Sequence, residues 1–395
     1  MGRLGSAYCC SSSRQLKLLL GAVAVILLSG SLVYGSCIPA IYNFGDSTSD
    51  TGNLAATFPG FTQGEHSPYG ETYFGKPVGR YSDGRLLIDF IANGLGLPFL
   101  DPYQQTVNSN YTQGTDFACA GSTVLPVTYL SPFYLDIQLR QFGAFKWNVQ
   151  NVFYPQNGTV DVALASRLPN PDTISKALYT IALGGNDFTY GYTKGQSIDQ
   201  VKLYLPQVIG NLTAAVQRLY TYGARNFIVW DIEPNGCLPY TLTLITHNAS
   251  DVDARGCLTA YNDVAVWFNT QFKASLDALR ANLTDANIIF FSTYDLKMDI
   301  IANASQLGFN YTTIACCGVP STYHYSLSVN CGQSNVINGV NYTSTTCDNP
   351  GEYLVWDGVH NTDRANRYIA QQFFSGAYFD PPFPLLTENC SLTPI

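Results

Sequence analysis

The sequence is poor in charge: only 12% of its 395 residues are Asp, Glu, Lys or Arg. A cytosolic surface is normally covered by Lys and Glu, so something else must solvate this one. Basic residues are the scarcer sign, 20 against 28 acidic, for a formal net charge of −8. That balance argues against nucleic acid or an anionic membrane surface as a partner and leaves a neutral or cationic ligand as the better fit. Histidine is rarer still, with only His66, His247, His324 and His360. Neither a C-x-x-C nor an H-x-H spacing occurs, so no metal site and no cofactor is expected. No internal repeat or low-complexity linker divides the chain, and one folded domain is expected over residues 36–395.

What is present begins with a leader. Arg3, Arg14 and Lys17 precede the apolar run LLLGAVAVILL, and small residues lead up to Ser36, which together read as a signal peptide over residues 1–35. The competing reading is a retained anchor, since the apolar stretch runs on to Tyr34. The shortness of the run and the lack of a second apolar span favour cleavage, with no stable membrane insertion afterwards. Asn110, Asn157, Asn211, Asn248, Asn282, Asn303, Asn310, Asn341 and Asn389 each open an N-x-S/T triplet, and glycans there would solvate the weakly charged surface. The predicted location is therefore outside the cell, in the wall or in the vacuole.

Cysteine use agrees with an oxidising compartment. Without the leader the chain keeps Cys37, Cys119, Cys237, Cys257, Cys316, Cys317, Cys331, Cys347 and Cys390, an odd set that leaves one thiol unpaired. Cys237 is expected to pair with Cys257 across a short loop, and two bridges are expected among Cys316, Cys317, Cys331 and Cys347. Cys119 lies in an apolar segment and is the candidate for the free, buried thiol.

Short β-branched and apolar runs at 40–44, 178–183, 226–231 and 287–292 alternate with helical spacing at 85–95, 135–149, 197–222, 253–283 and 362–375. Strand followed by helix, repeated, predicts a parallel sheet covered on both faces. The Gly-, Ser-, Asn- and Cys-rich stretch 315–351 reads as a long loop stapled by disulfides.

The stretch FGDSTSDTGN at 44–53 leaves the first of these strands and carries Ser47. A tight turn explains its glycine and aspartates but not a functional serine. Of the four histidines, His360 in W-D-G-V-H has an acid, Asp357, three residues before it, and one short loop can aim both side chains together. That arrangement lets the carboxylate take the Nδ1 proton and leaves Nε2 to face a serine. A satisfied loop histidine beside a helix-capping Asp is the plainer alternative. Two further segments favour chemistry: IALGGND ends an apolar strand with Asn186, and FACAGST holds Gly121, where a main-chain N–H can approach a ligand closely. Together they supply donors for a developing oxyanion.

N-F-G-D-S at 43–47, G-R-Y-S-D-G-R-L at 79–86, L-G-G-N-D at 183–187, A-C-C-G at 315–318 and W-D-G-V-H at 356–360 occur in order. With them the chain resembles the plant-type GDSL esterase and lipase family of the SGNH hydrolase superfamily, over essentially its whole mature length. The resemblance implies a three-layer α/β/α sandwich with a mostly parallel, flavodoxin-like central sheet. It also implies Ser47 as nucleophile, His360 as base and Asp357 as its orienter, with an oxyanion hole from the Ser47 and Gly121 N–H groups and the Asn186 amide. Thr48 stands where the family name has leucine and is expected to pack beneath the nucleophile. A G-x-S-x-G elbow is absent around Ser47, which argues against an ordinary α/β-hydrolase. The expected activity is a monomeric, secreted serine esterase or acyltransferase acting on a small ester or an acylated glycoside or lipid. The alternatives are a glycan-binding protein on the same fold and a glycosidase, the latter lacking an evident pair of carboxylates.

Overall fold

The computed structural model describes residues 37–126, 131–156, 158–387, 390 and 392–395. The leader over 1–35 and the sequon asparagines Asn157 and Asn389 lie outside the described residues. Five strands run parallel: β1 (Ile41–Gly45), β2 (Gly114–Asp116), β3 (Leu178–Ala182), β4 (Asn226–Trp230) and β5 (Asn287–Phe291). A sixth, β6 (Phe379–Asp380), pairs antiparallel with β5, and the order across the sheet is β6-β5-β4-β3-β1-β2. The chain order reverses beside β1, which places the carboxyl end of β1 at the switch point where open α/β sheets build their sites.

The runs of β1, β3 and β4 are buried on both faces, which is why they read as unbroken apolar stretches. On one face Tyr42 and Tyr179 pack under α2 (Leu135–Phe153) and Phe290 meets Phe272 of α5 (Thr259–Asn282), with Phe227 in the same core and α3 (Gly185–Thr193) and α4 (Ile198–Thr221) completing that layer; α1 (Leu87–Gly94) belongs to the other. On that opposite face Ile41, Ile228, Ile289 and Phe291 meet α1, α6 (Thr293–Ala302) and α7 (Asp363–Ser375). The result is the α/β/α sandwich. Helix α2 forms where Leu135, Leu139, Phe142, Phe145 and Val149 recur at helical spacing, and all five are buried. Phe142 is the hub, with ring centroids 5.1 Å from Tyr42, 5.8 Å from Phe44 and 5.6 Å from Tyr179. Helix α4 starts at a capping box in which Ser197 and Gln200 satisfy each other's main-chain N–H, and α7 starts at Thr362, whose hydroxyl accepts from Ala365 N.

The structure contains elements that the sequence expectation lacks, α3 among them. β2 is a three-residue GTD segment without an apolar pattern, held because Gly114, at φ 102°, backs against the main chain of Ile41. β6 and α6 carry no period of their own strong enough to be read. The stretch 315–351 contains an exposed hairpin, Ser334–Ile337 with Val340–Thr343, rather than loop alone.

Four disulfides staple this body: Cys37–Cys390, Cys237–Cys257, Cys316–Cys347 and Cys317–Cys331. Among the described residues the free cysteine is Cys119, which is buried. β1 lies against β3 at Gly45, where an added Cβ would stand 2.9 Å from the Ala182 carbonyl and collide with Ser49 Oγ. Gly45→Ala is expected to lower the unfolding free energy by about 1–3 kcal/mol, the usual cost of overpacking, in urea denaturation.

Candidate active site

Ser47 sits two residues past Gly45, the last residue of β1, and buried aspartates shape the turn that presents it. Asp50 accepts from Gly52 N at 2.7 Å and Leu54 N at 3.1 Å, closing the turn on itself. Its Oδ2 also accepts from Ala120 N at 2.7 Å, which ties the serine turn to the segment carrying Gly121. Burial raises the Asp50 carboxyl to about 6 even though these N–H donors lower it. Asp116, at the end of β2, takes Asn43 Nδ2 at 2.6 Å, Thr51 N at 2.7 Å and Thr51 Oγ1 at 2.9 Å. From the helical layer Gln138 of α2 reaches in, accepting from Gly45 N at 3.0 Å and donating to Gly45 O at 2.8 Å. The serine's position is thus fixed from three sides.

His360 Nε2 lies 2.7 Å from Ser47 Oγ, bridging residues 313 apart in the chain. Its Nδ1 faces both oxygens of Asp357, at 2.7 Å and 2.9 Å. The short loop before α7 holds the pair: Val359 N and His360 N donate to Asp357 Oδ1 at 3.2 Å and 3.0 Å. Burial disfavours the imidazolium, but the charge and hydrogen bond of Asp357, with Asp46 and Glu233 adding, raise His360 above its ordinary value. Burial likewise disfavours the Asp357 carboxylate, and His360 together with the donated hydrogen bonds holds it below its ordinary value. A buried, orienting carboxylate and an imidazole facing a hydroxyl can move the serine proton onto nitrogen.

Two further segments close on Ser47. Asn186, in the first turn of α3, donates from Nδ2 to Ser122 O at 2.8 Å, leaving the second hydrogen of the amide for another acceptor. Its neighbour Asp187 accepts from Val124 N at 2.8 Å and Leu125 N at 3.1 Å, so α3 and the Gly121 segment are clamped together. Gly121 adopts φ 76°, a left-handed conformation that turns the main chain there. Among the described residues neither Ser47 N nor Gly121 N donates to a protein acceptor.

Ser47, Gly121, Asn186, Asp357 and His360 all line one cleft of about 620 Å³. Its walls are largely apolar and aromatic, with Leu54, Tyr81, Tyr240, Tyr325 and Leu327 among them and Phe61 at the rim, 89% exposed. The other histidines stand apart: His247 contacts Ile245 O and Tyr323 OH, His324 contacts Ala315 O and Thr345 Oγ1, and His66 lies outside this cleft. Thr48, expected beneath Ser47, is half-buried. Its hydroxyl donates to Asp46 Oδ1 at 2.8 Å, and it lines a second, smaller cavity beside Trp230 and Lys297.

The family model for GDSL-like lipase/acylhydrolase matches residues 41–373. A GDSL esterase/lipase of Arabidopsis thaliana is 38% identical over 387 residues, covering 96% of this chain and 98% of its own. An esterase of Hevea brasiliensis is 38% identical, covering 92% and 93% of the two chains. A third relative, alpha-L-fucosidase 3 of Arabidopsis thaliana, is 39% identical, covering 89% and 92%. The chain belongs to the GDSL-like lipase/acylhydrolase family, a family of carboxylic ester hydrolases.

Several residues that build the site carry no signal of their own in the sequence. Gln138 looks like a polar interruption of an amphipathic helix, and a polar residue on a buried face is the one hint that it bonds something specific. Asp50, Asp116 and Asp187 look like turn formers. Of the sequon asparagines within the described residues, Asn110, Asn248, Asn282, Asn303, Asn310 and Asn341 are exposed and Asn211 on α4 is half-buried. Cys119 is 1% exposed with Sγ 3.4 Å from Ser131 Oγ, and burial pushes its thiol well above the ordinary range. A maleimide probe is expected to leave Cys119 unmodified in the folded protein and to modify it in denaturant, read by peptide mass mapping.

Proposed function

We propose that the protein is a secreted serine esterase that hydrolyses, or transfers, the acyl group of a neutral carboxylic ester through an acyl-enzyme on Ser47. The observation that carries this is the 2.7 Å contact between Ser47 Oγ and His360 Nε2, backed by Asp357 on the far side of the ring. As Oγ attacks the ester carbonyl carbon, His360 Nε2 takes its proton, and Asp357 stabilises the imidazolium. Charge gathers on the carbonyl oxygen, where the Ser47 and Gly121 N–H groups and the free N–H of Asn186 are the donors available. Collapse breaks the bond to the alcohol, which leaves with the proton from His360. Water, or a second alcohol, then loses a proton to His360 as it attacks the acyl carbonyl, and the serine is restored.

The cleft argues for a neutral, amphiphilic substrate, such as a small ester or an acylated glycoside or lipid. Among the described residues its lining contains no Lys, Arg or Glu, and the one carboxylate there, Asp357, is already committed to His360. A charged group would lose hydration there without a counter-ion. The same lining weighs against a glycosidase, which needs two carboxylates flanking one sugar. Four disulfides, the leader over 1–35 and the exposed sequons support export to the extracellular space, the wall or the vacuole. N-terminal sequencing of the exported protein is expected to begin near Ser36; a first residue of Met1 would contradict export by cleavage.

The mechanism is tested with p-nitrophenyl esters of rising chain length and a fluorophosphonate label. Ser47→Ala is expected to lose both turnover and label. Asn186→Ala is expected to lose about 10²–10³ in kcat with KM little changed, and to keep slow labelling of Ser47. An Asn186→Ala enzyme with near-parental turnover would remove the amide from the oxyanion site. Only neutral His360 accepts a proton, so kcat/KM is expected to rise with pH through an acid limb above the ordinary histidine value, following the raised value at His360. An acid limb at or below that value would contradict the pairing with Asp357.

A further inference from the structure

The two oxygens of Asp357 are held by different parts of the chain. Oδ1 takes main-chain N–H groups from its own loop, Val359 and His360. Oδ2 takes the hydroxyl of Tyr69 at 2.7 Å, a residue 288 positions earlier. Apart from the imidazole, no other hydrogen bond to Oδ2 occurs among the described residues. Tyr69 is 1% exposed, and its ring is wedged between Tyr81 and Trp356, with centroids 6.0 Å and 6.1 Å away. The main chain around it is pinned as well, Tyr69 N to His66 O at 3.1 Å and Gly70 N to Ser82 O at 2.9 Å. A second contact of the phenol, to Gln63 Oε1, is longer at 3.2 Å, so the single hydroxyl hydrogen is best used on the carboxylate. Burial, then the charge of Asp357, keep the phenol protonated far above neutral pH, and it remains a donor throughout the working range.

We infer that Tyr69 is a positioning residue for the ester-hydrolysing machinery, setting both the orientation of Asp357 and how strongly that carboxylate draws a proton onto His360. This rests on the roles proposed above for Ser47, His360 and Asp357. The orientation effect follows from geometry. With Oδ2 tethered, the carboxylate plane cannot rotate about the Oδ1 anchor, and both oxygens stay within reach of Nδ1. The electrostatic effect follows from the direction of the dipole: an O–H pointed at Oδ2 places partial positive charge beside the carboxylate and weakens its pull on the imidazolium. Tyr69 therefore moderates the rise at His360 that Asp357 causes. The other groups that face this pair are the carboxylates Asp46 and Glu233 and the phenols Tyr81 and Tyr325. Tyr69→Phe and fluorination leave the chemical identity of each of these groups unchanged, so a shift in the acid limb reports the Tyr69 hydroxyl.

The test compares kcat/KM against pH for the parent, Tyr69→Phe, a variant with 3-fluorotyrosine at position 69, and Tyr179→Phe. Tyr179 is a buried tyrosine of β3 whose hydroxyl bonds Ile174 O at 2.9 Å, remote from the cleft lining, so it controls for loss of a buried hydrogen bond. Tyr69→Phe is expected to lower kcat about tenfold with KM little changed, and to move the acid limb upward by up to about one pH unit, as loss of a hydrogen bond to a charged group implies. The fluorinated phenol is a stronger donor and is expected to move the limb downward. Tyr179→Phe is expected to soften the thermal melt and leave the limb in place. A limb that stays at the parental position in both Tyr69 variants overturns the inference, and if Tyr69→Phe does not fold, the fluorotyrosine protein decides alone. Retained turnover in Ser47→Ala would instead strike at the underlying reading, whichever way the limb moves.

Discussion

A buried carboxylate is tolerable only when hydrogen-bond donors surround it, and the whole site is organised around that constraint. Asp50, Asp116, Asp187 and Asp357 are all buried, and each collects main-chain N–H groups from loops that would otherwise be free to move. Each lost bond would strand a buried partner at a cost of about 1–3 kcal/mol, so the loops are locked in place rather than resting on the surface. This gives low surface charge a structural counterpart. A chain with few ionisable residues places several of its aspartates inside, at the carboxyl end of the sheet, where they join segments distant in sequence.

The cleft wall depends on a different device. Residues 315–351 have few buried apolar side chains to hold them, and the hairpin within them is solvent-exposed. Cys316–Cys347 and Cys317–Cys331 tie the rest of this arm to its own Ala315–Gly318 segment, and main-chain bonds join that segment to the loop of Asp357; Cys317 N donates to Trp356 O at 2.7 Å and Cys316 N to Val355 O at 3.1 Å. Tyr325, Leu327 and Cys331 of the arm then form one side of the cleft. Covalent staples replace a hydrophobic core for this wall, a solution open to a protein in an oxidising compartment. The wall and the loop of Asp357 and His360 share the same backbone anchors, so a contact made on the arm is mechanically close to Asp357.

Much of this was legible in the sequence because parallel strands buried on both faces leave an unmistakable apolar signature. The four central strands and the long helices read from their periods to within a few residues, the largest excess being the start of α5, where 253–258 form a disulfide-bound turn instead of helix. β2 did not read because three residues, Gly-Thr-Asp, pair through main chain alone. The residues singled out by motif, Ser47, Gly121, Asn186, Asp357 and His360, gather at one cleft, since each belongs to a strand end or helix start whose position follows from the sheet. Tyr69 and Gln138 could not be found that way. Their partners, Asp357 and Gly45, lie 288 and 93 positions off, and nothing local records the contact.

The bond between Cys37 and Cys390 joins positions 353 apart and so turns nearly the entire described chain into one covalent ring. A ring has a property that a linear chain lacks: one break does not divide it. A protease that clips an exposed loop, such as the 334–343 hairpin, produces two new ends but no released fragment, and the sheet keeps both pieces in register. That topology allows the cleft to outlast a cut that would separate an unbridged chain.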